Sequence, residues 1–200
     1  MTVYKVLSSS FGCNSYILTA DNSTAVVIDC ADEGVFYECE RLKLKPVALL
    51  LTHGHFDHVG GCGKFYAERV PIFCGEGESG YIFSRENRSL FGGVYIPDFE
   101  IYKTLADGEK ITLGGIQFEV ISTPGHTAGG VCYLAEGYLF SGDTLFKGSV
   151  GRTDLPGGDF RKLRESLKKL FSIDKDLKVY CGHGENTTLA YERKNNPYVE

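Results

Sequence analysis

The stretch Val47-Ala48-Leu49-Leu50-Leu51-Thr52-His53-Gly54-His55-Phe56-Asp57-His58 joins a short apolar run to a turn crowded with metal-binding groups. A run of this length, entered through Pro46, reads as a buried strand. Alternate residues of an extended chain face the same side, so His53 and His55 point together, whereas the neighbours Asp57 and His58 diverge. The same arrangement recurs along the chain. Phe118–Ile121 leads into Ser-Thr-Pro-Gly-His126, Tyr138–Phe140 into Ser-Gly-Asp143, and Lys178–Cys181 into Gly-His183. Four strands therefore end in small-residue turns that carry a potential ligand, and strand ends with their loops are where sites gather in layered α/β folds. A single such histidine would be read as a hydrogen-bonded loop residue, but all five histidines of the chain fall in these turns. The spacing assigns His53, His55 and His126 to one ion and Asp57, His58 and His183 to a second. Asp143 is the expected bridge, because the two oxygens of a carboxylate can span ions roughly 3.5–4 Å apart. Imidazole and carboxylate donors without thiolate suit zinc, the expected ion, and leave iron and manganese open.

Outward from this centre the texture is α/β. Strand-like runs at Tyr4–Ser8, Ser15–Thr19 and Ala25–Asp29 are close enough together to form an antiparallel meander. A helix with Asp32 as cap follows, with Val35, Phe36, Cys39 and Leu42 at helical spacing before Pro46. Further helices are predicted over Val59–Glu68 and from Asp159 through Leu163, Leu167, Leu170 and Phe171. Ile111–Leu113, Ile116–Ile121, Val131–Leu134, Tyr138–Phe140 and Lys178–Cys181 supply a second set of strands. Two β-rich halves with interspersed helices imply two sheets packed face to face and flanked by helices. The segment Gly80–Tyr102 is the least regular, and its aromatics (Tyr81, Phe83, Phe91, Tyr95, Phe99, Tyr102) are read as a patch on the core edge in preference to a substrate lid.

With 200 residues, 42% of them hydrophobic, the chain can bury one substantial core, so residues 1–200 are expected to form a single domain. A net charge of −5 gives no basic surplus for phosphates, which argues against a nucleic-acid partner. No apolar run approaches a membrane span and no signal-peptide layout opens the chain, so a cytoplasmic protein without a membrane partner is expected. The seven cysteines form no C-x-x-C pair and are expected to be buried and reduced. Three N-x-S/T sequons, at Asn22, Asn87 and Asn186, and Gly63-Lys64, which lacks the rest of a P-loop, carry no weight.

Thr52-His-Gly-His-Phe-Asp-His58, Pro124-Gly-His126-Thr, Ser141-Gly-Asp143-Thr-Leu-Phe and Cys181-Gly-His183-Gly resemble, in order and spacing, the signature motifs of the metallo-β-lactamase superfamily. The resemblance implies a four-layer αβ/βα sandwich with a two-metal site at one edge. Class B1 antibiotic-hydrolysing members carry cysteine where this chain has Asp143, and flavodiiron members carry glutamate at the second histidine of the first motif. Gly148-Ser-Val-Gly-Arg152-Thr-Asp-Leu-Pro-Gly-Gly158, with the tail Gly182-His-Gly-Glu-Asn-Thr-Thr188, Glu192 and Asn196-Pro197, resembles short bacterial forms of glyoxalase II, the hydroxyacylglutathione hydrolases. By this resemblance Arg152 contacts substrate, and the partner is a small-molecule thioester. The long enzymes have tyrosines where this chain has Asp154 and Glu185, and add a C-terminal helical domain, so weak binding of an anionic carrier is expected.

The implied reaction is attack of a metal-bound hydroxide on the thioester carbonyl, with Asp57 and Asp143 holding the ions and relaying the proton. Arg152 would hold a carboxylate of the carrier, or else clamp its own loop through Asp154 or Asp159. Two other readings stay open. One is an iron-dependent persulfide dioxygenase, which shares Gly-Arg-Thr-Asp but uses a single iron on two histidines and an aspartate. The other is a metal-loaded binding module without turnover.

Overall fold

Residues 1–8, 11–90 and 95–198 are described by a computed structural model. In its first half β1 (Thr2–Leu7), β2 (Asn14–Thr19) and β3 (Thr24–Ile28) form the expected antiparallel meander. β4 (Lys45–Leu50), β5 (Ile72–Gly75) and β6 (Lys103–Leu105) extend it as parallel neighbours. Between these strands run α1 (Gly34–Arg41), α2 (Phe56–Val59), α3 (Cys62–Ala67), α4 (Glu78–Ile82) and α5 (Arg85–Ser89). The second half supplies β7 (Lys110–Leu113), β8 (Ile116–Ser122), β9 (Val131–Ala135), β10 (Tyr138–Gly142), the hairpin β11 (Leu145–Phe146) and β12 (Ser149–Val150), α6 (Phe160–Phe171), β13 (Lys178–Cys181), β14 (Thr187–Thr188) and α7 (Leu189–Asn195). The second sheet has the order β14-β13-β10-β9-β8-β7, antiparallel except where β10 meets β13.

Side-chain alternation along the strands sorts these elements into layers. Tyr16 and Leu18 of β2 face inward with Val26, Ile28, Leu50 and Phe73, and meet Phe118, Val120, Tyr133 and Phe140 of the second sheet. Ile17 points the other way, and with Val27, Leu49 and Leu51 it packs on Val35, Phe36 and Cys39 of α1 and Phe65 of α3. On the far side Leu139 and Val179 meet Leu163, Leu167 and Leu170 of α6, whose first turn is capped by Asp159 accepting from Arg161 and Lys162 N–H. Helix, sheet, sheet, helix is the four-layer αβ/βα sandwich expected from the motifs.

The helix predicted over Val59–Glu68 is interrupted at Gly60-Gly61. There the Gly61 N–H donates to the Cys30 carbonyl and the Cys30 N–H to the His58 carbonyl, both at 2.9 Å. A Cβ on Gly60 would sit 2.4 Å from the Ala31 oxygen. This contact ties His58 to the end of β3, and a continuous helix could not follow it. β5 and β6 form although the sequence reading assigned no strands there. The N-cap of α1 is Glu33, which makes no side-chain cap bond, and not Asp32 as expected; Asp32 sits one residue earlier and accepts from the Gly34 N–H at 2.8 Å. All seven cysteines are free and buried.

Candidate metal centre

The four turns meet at one edge of the sandwich and bring all seven sequence-predicted ligands together. His126 Nε2 lies 3.2 Å from His53 Nε2 and 2.9 Å from His55 Nδ1. On the other flank, His183 Nε2 is 3.2 Å from Asp57 Oδ2, and His58 Nε2 is 4.0 Å from the same oxygen. Asp143 stands between the two groups: Oδ1 is 3.3 Å from His58 Nε2, and Oδ2 is 3.6 Å from both His126 Nε2 and His183 Nε2. His53, His55 and His126 stand together as the spacing suggests, while His58 groups with His53 and Asp143 as well as lying near Asp57 and His183.

Hydrogen bonds on the outer side of each ring decide which nitrogen faces inward. His58 Nδ1 donates to Asp29 Oδ2 (2.8 Å), His126 Nδ1 to the Arg152 carbonyl (2.7 Å) and His183 Nδ1 to the Gly12 carbonyl (3.1 Å), because these oxygens have no proton to give. Thr52 spends its hydroxyl proton on Asp29 at 2.7 Å, so it accepts from His53 Nδ1 at 3.1 Å. His55 Nε2 faces the Tyr81 hydroxyl at 3.0 Å. With their outer nitrogens committed as donors, His53 and His126 turn Nε2 lone pairs toward each other at 3.2 Å, a repulsive arrangement unless a cation lies between them. Protons are poor candidates for that cation on the three-histidine side. Burial, with neighbouring imidazoles, holds His53 well below its ordinary pKa, and burial with His126 brings His55 down to about 3. Asp143 supplies the matching negative charge. Burial would raise its pKa, but His58, His126 and His183 hold it well below the usual carboxylate range, and its buried Oδ1 accepts no hydrogen bond. The donor set thus fits divalent metal.

Several residues that support this centre were not found from sequence. Asp29, at a left-handed φ of 58°, accepts from the Thr52 N–H at 2.8 Å as well as from His58. Glu78 is wholly buried and accepts from the Gly54 N–H, the Gly129 N–H and the Thr127 hydroxyl. Burial pushes its pKa up to about 7 despite those donors. Asn87 donates to the Gly54 carbonyl at 2.7 Å. The irregular 80–102 segment is thus more than a patch on the core edge, since Tyr81 and Asn87 hold the first histidine turn. Phe99 does pack beneath Phe83 with ring centroids 5.0 Å apart, while Phe91 lies outside the described residues.

Cys13 lies within reach of His58 and His183. Its Sγ is 3.7 Å from His58 Nδ1 and 3.5 Å from Nε2, nearly equidistant, which puts the sulfur beside the ring and off the lone-pair direction of either nitrogen. Burial raises the pKa of this thiol to about 12, with the His58 ring pulling the other way.

A cleft of about 200 Å³ opens on five of the seven, His55, Asp57, His126, Asp143 and His183, and is walled by Phe56, Leu155 and Arg152. Arg152 is exposed and pairs through Nε and Nη2 with both carboxylate oxygens of Asp154, at 2.7 and 2.6 Å. Asp159 is left to cap α6. The other acidic departure, Glu185, pairs with Lys147. A larger groove of about 730 Å³ by Tyr66, Val70 and Tyr102 contains none of the seven residues.

A sandwich of two sheets with two histidine–aspartate donor sets joined by one carboxylate at its edge defines a protein of the metallohydrolase class. Residues 10–183 match the metallo-β-lactamase superfamily, and the chain belongs to it. The chain is 32% identical to the hydroxyacylglutathione hydrolase GloC of Haemophilus influenzae, over 100% of this chain and 98% of that one. Among solved structures it is similar to the BLEG-1 B3 metallo-β-lactamase (33% identity, TM-score 0.92, 99% of each chain). It is also similar to TTHA1623 in a di-iron-bound form (33% identity, TM-score 0.84, 98% of this chain and 99% of that one). Among the described residues no helix is long and apolar enough to cross a membrane.

Proposed function

We propose that the chain is a cytoplasmic, single-domain hydrolase of small-molecule thioesters of the hydroxyacylglutathione type, such as S-lactoylglutathione. Two divalent ions serve it, zinc in first place, held by His53, His55 and His126 on one side, Asp57, His58 and His183 on the other, and Asp143 between. The observation that carries this reading is the convergence of those seven side chains in a chain similar to GloC over its whole length. Seven free, buried cysteines favour a reducing compartment. Bound there, the ions supply Lewis acidity toward a carbonyl and a nucleophile at neutral pH.

The chain's own residues do the rest. Phe56 and Leu155 give the acyl group an apolar wall and keep bulk water from the reacting carbonyl. Asp57 Oδ2, which faces His183 Nε2, is placed to take up a proton. A thiolate leaves without strong acid help, so no dedicated acid is required. Arg152 keeps N–H donors beyond those given to Asp154, and these can hold a carboxylate of the carrier. Since Asp154 and Glu185 are each matched by a cation, they do not face an anionic carrier as bare charges, which softens the repulsion expected from sequence.

Steady-state kinetics of the metal-replete protein test the reading. Turnover of S-lactoylglutathione is expected with KM toward or above the upper end of the usual ~1 μM–1 mM range, because among the described residues lining the cleft Arg152 alone is a lysine or arginine. Arg152→Ala should raise KM by up to about tenfold, roughly 1.4 kcal/mol, with kcat little changed, the pattern of lost uniform binding. Similarity to BLEG-1 favours β-lactam opening as a second reading, so a cephalosporin belongs in the same panel. Cephalosporin turnover without thioester turnover would replace the proposal. Oxygen uptake with glutathione persulfide and a single bound iron would move the chain to the dioxygenase reading.

A further inference from the structure

The two halves of the metal centre share one support, Asp29, which holds His58 directly and His53 through Thr52, but the three-histidine half has another that the second half lacks. On the Asp57–His58–His183 side the outer nitrogens rest on Asp29 and the Gly12 carbonyl. On the three-histidine side the outer nitrogens of His53 and His126 rest on Thr52 and the Arg152 carbonyl, and the further support comes from α4. Glu78 Oε1 accepts from the Gly54 N–H at 2.7 Å, between His53 and His55. Its Oε2 accepts from the Thr127 hydroxyl at 3.0 Å and the Gly129 N–H at 2.9 Å, in the loop that carries His126. One buried carboxylate thus ties together the two loops whose histidines must share an ion. Both loops meet α4 at glycines. A Cβ on Gly54 would lie 2.5 Å from Ile82 Cγ1, and one on Gly129 would lie 2.4 Å from Glu78 N. Tyr81, from the same helix, faces His55 Nε2.

We infer that Glu78 is a positioning residue for the three-histidine half of the centre, acting with Tyr81 to set the affinity of one ion and not the other. This rests on the metal reading of the seven residues but not on any substrate. Three donors converge on Glu78, and a carboxylate can accept all of them. Glutamine has nearly the same shape, but its amide group would turn hydrogens toward one set of those donors, so one loop must move away. Partners on the outer side of ligating residues commonly alter metal affinity by about 10–100-fold.

The test is Co²⁺ titration of metal-free wild type, Glu78→Gln and Tyr81→Phe, followed by visible absorption and by the paramagnetically shifted imidazole N–H resonances. Wild type is expected to take up two ions. In Glu78→Gln one ion should weaken by about 10–100-fold, and the N–H signals of the His53, His55 and His126 rings should shift or vanish. The second ion should bind within about twofold of wild type, with the His58 and His183 signals intact. Tyr81→Phe removes a single hydroxyl and gives an independent reading should Glu78→Gln fail to fold. It should weaken the same ion by about tenfold. A merely structural glutamate would lower thermal stability and weaken both ions alike. That outcome, or unchanged binding of both ions in both variants, overturns the inference while leaving the two-metal reading in place. A wild type that binds no ion overturns both.

Discussion

Asp143→Asn is expected to lower turnover by about 10³-fold or more, equivalent to about 4 kcal/mol of transition-state stabilisation, and to reduce metal content to one ion or fewer per chain. The size of the effect follows from position. Asp143 lies within 4 Å of inward-facing nitrogens from both donor sets, with His126 on one side and His58 and His183 on the other. Asparagine fills the same volume without the charge. Its amide hydrogens would also face imidazole lone pairs at 3.3–3.6 Å and could engage them as hydrogen-bond acceptors, which takes those nitrogens away from a metal. Elemental analysis alongside kcat measurement checks both parts. Wild-type stoichiometry at wild-type rate would remove the bridging role.

The seven side chains that converge here could be read from sequence because each sits within a few residues of a strand end, and such turns carry a local signature. The sandwich was readable for a related reason. Tyr16/Ile17/Leu18 and Val26/Val27/Ile28 are apolar on both faces, which marks a sheet covered on both sides. The residues that escaped detection act across distance in the chain. Asp29 reaches Thr52, Glu78 reaches Gly54 and Gly129, and Asn87 reaches Gly54, with 23 to 51 residues between partners. No spacing rule connects such pairs.

Composition gave little help with them. In Gly75-Glu-Gly-Glu-Ser-Gly80, Glu76 is exposed and Glu78 fully buried, and nothing in the hexapeptide distinguishes the two. The same limit explains the missed β5 and the broken helix. Ile72–Gly75 is a four-residue parallel strand without alternation, defined by pairing with Leu49 and Leu50. The break at Gly60-Gly61 exists because residues 30–32 pack against it. Tertiary contact decided these cases, and local propensity had no part in them.

Gly182→Ala should abolish metal binding at the bridge and cost activity on the scale of Asp143→Asn, while the fold survives. Gly182 precedes His183 at the end of β13 and has no left-handed backbone, so alanine meets no conformational strain there. Space is the obstacle. The added Cβ would lie 2.2 Å from Asp143 Oδ1, 2.9 Å from His58 Cε1 and 3.0 Å from the Gly142 carbonyl carbon. The Gly182 N–H donates to the Gly142 carbonyl at 2.8 Å, which resists separation of the two strand ends. The Asp143 carboxylate is the group free to yield, and yielding takes it out of the centre. Gly184→Ala provides the contrast two residues on. That glycine has φ +71° with nothing within 4 Å of its would-be Cβ, so alanine there brings backbone strain without a clash. A cost of about 1–2 kcal/mol in stability is expected for it, with metal content and kcat near wild type. Circular-dichroism melts and metal analysis on the two variants separate the effects. If Gly182→Ala keeps two ions and full activity, Asp143 has more freedom than this packing allows, and its place between the two donor sets would have to be revised.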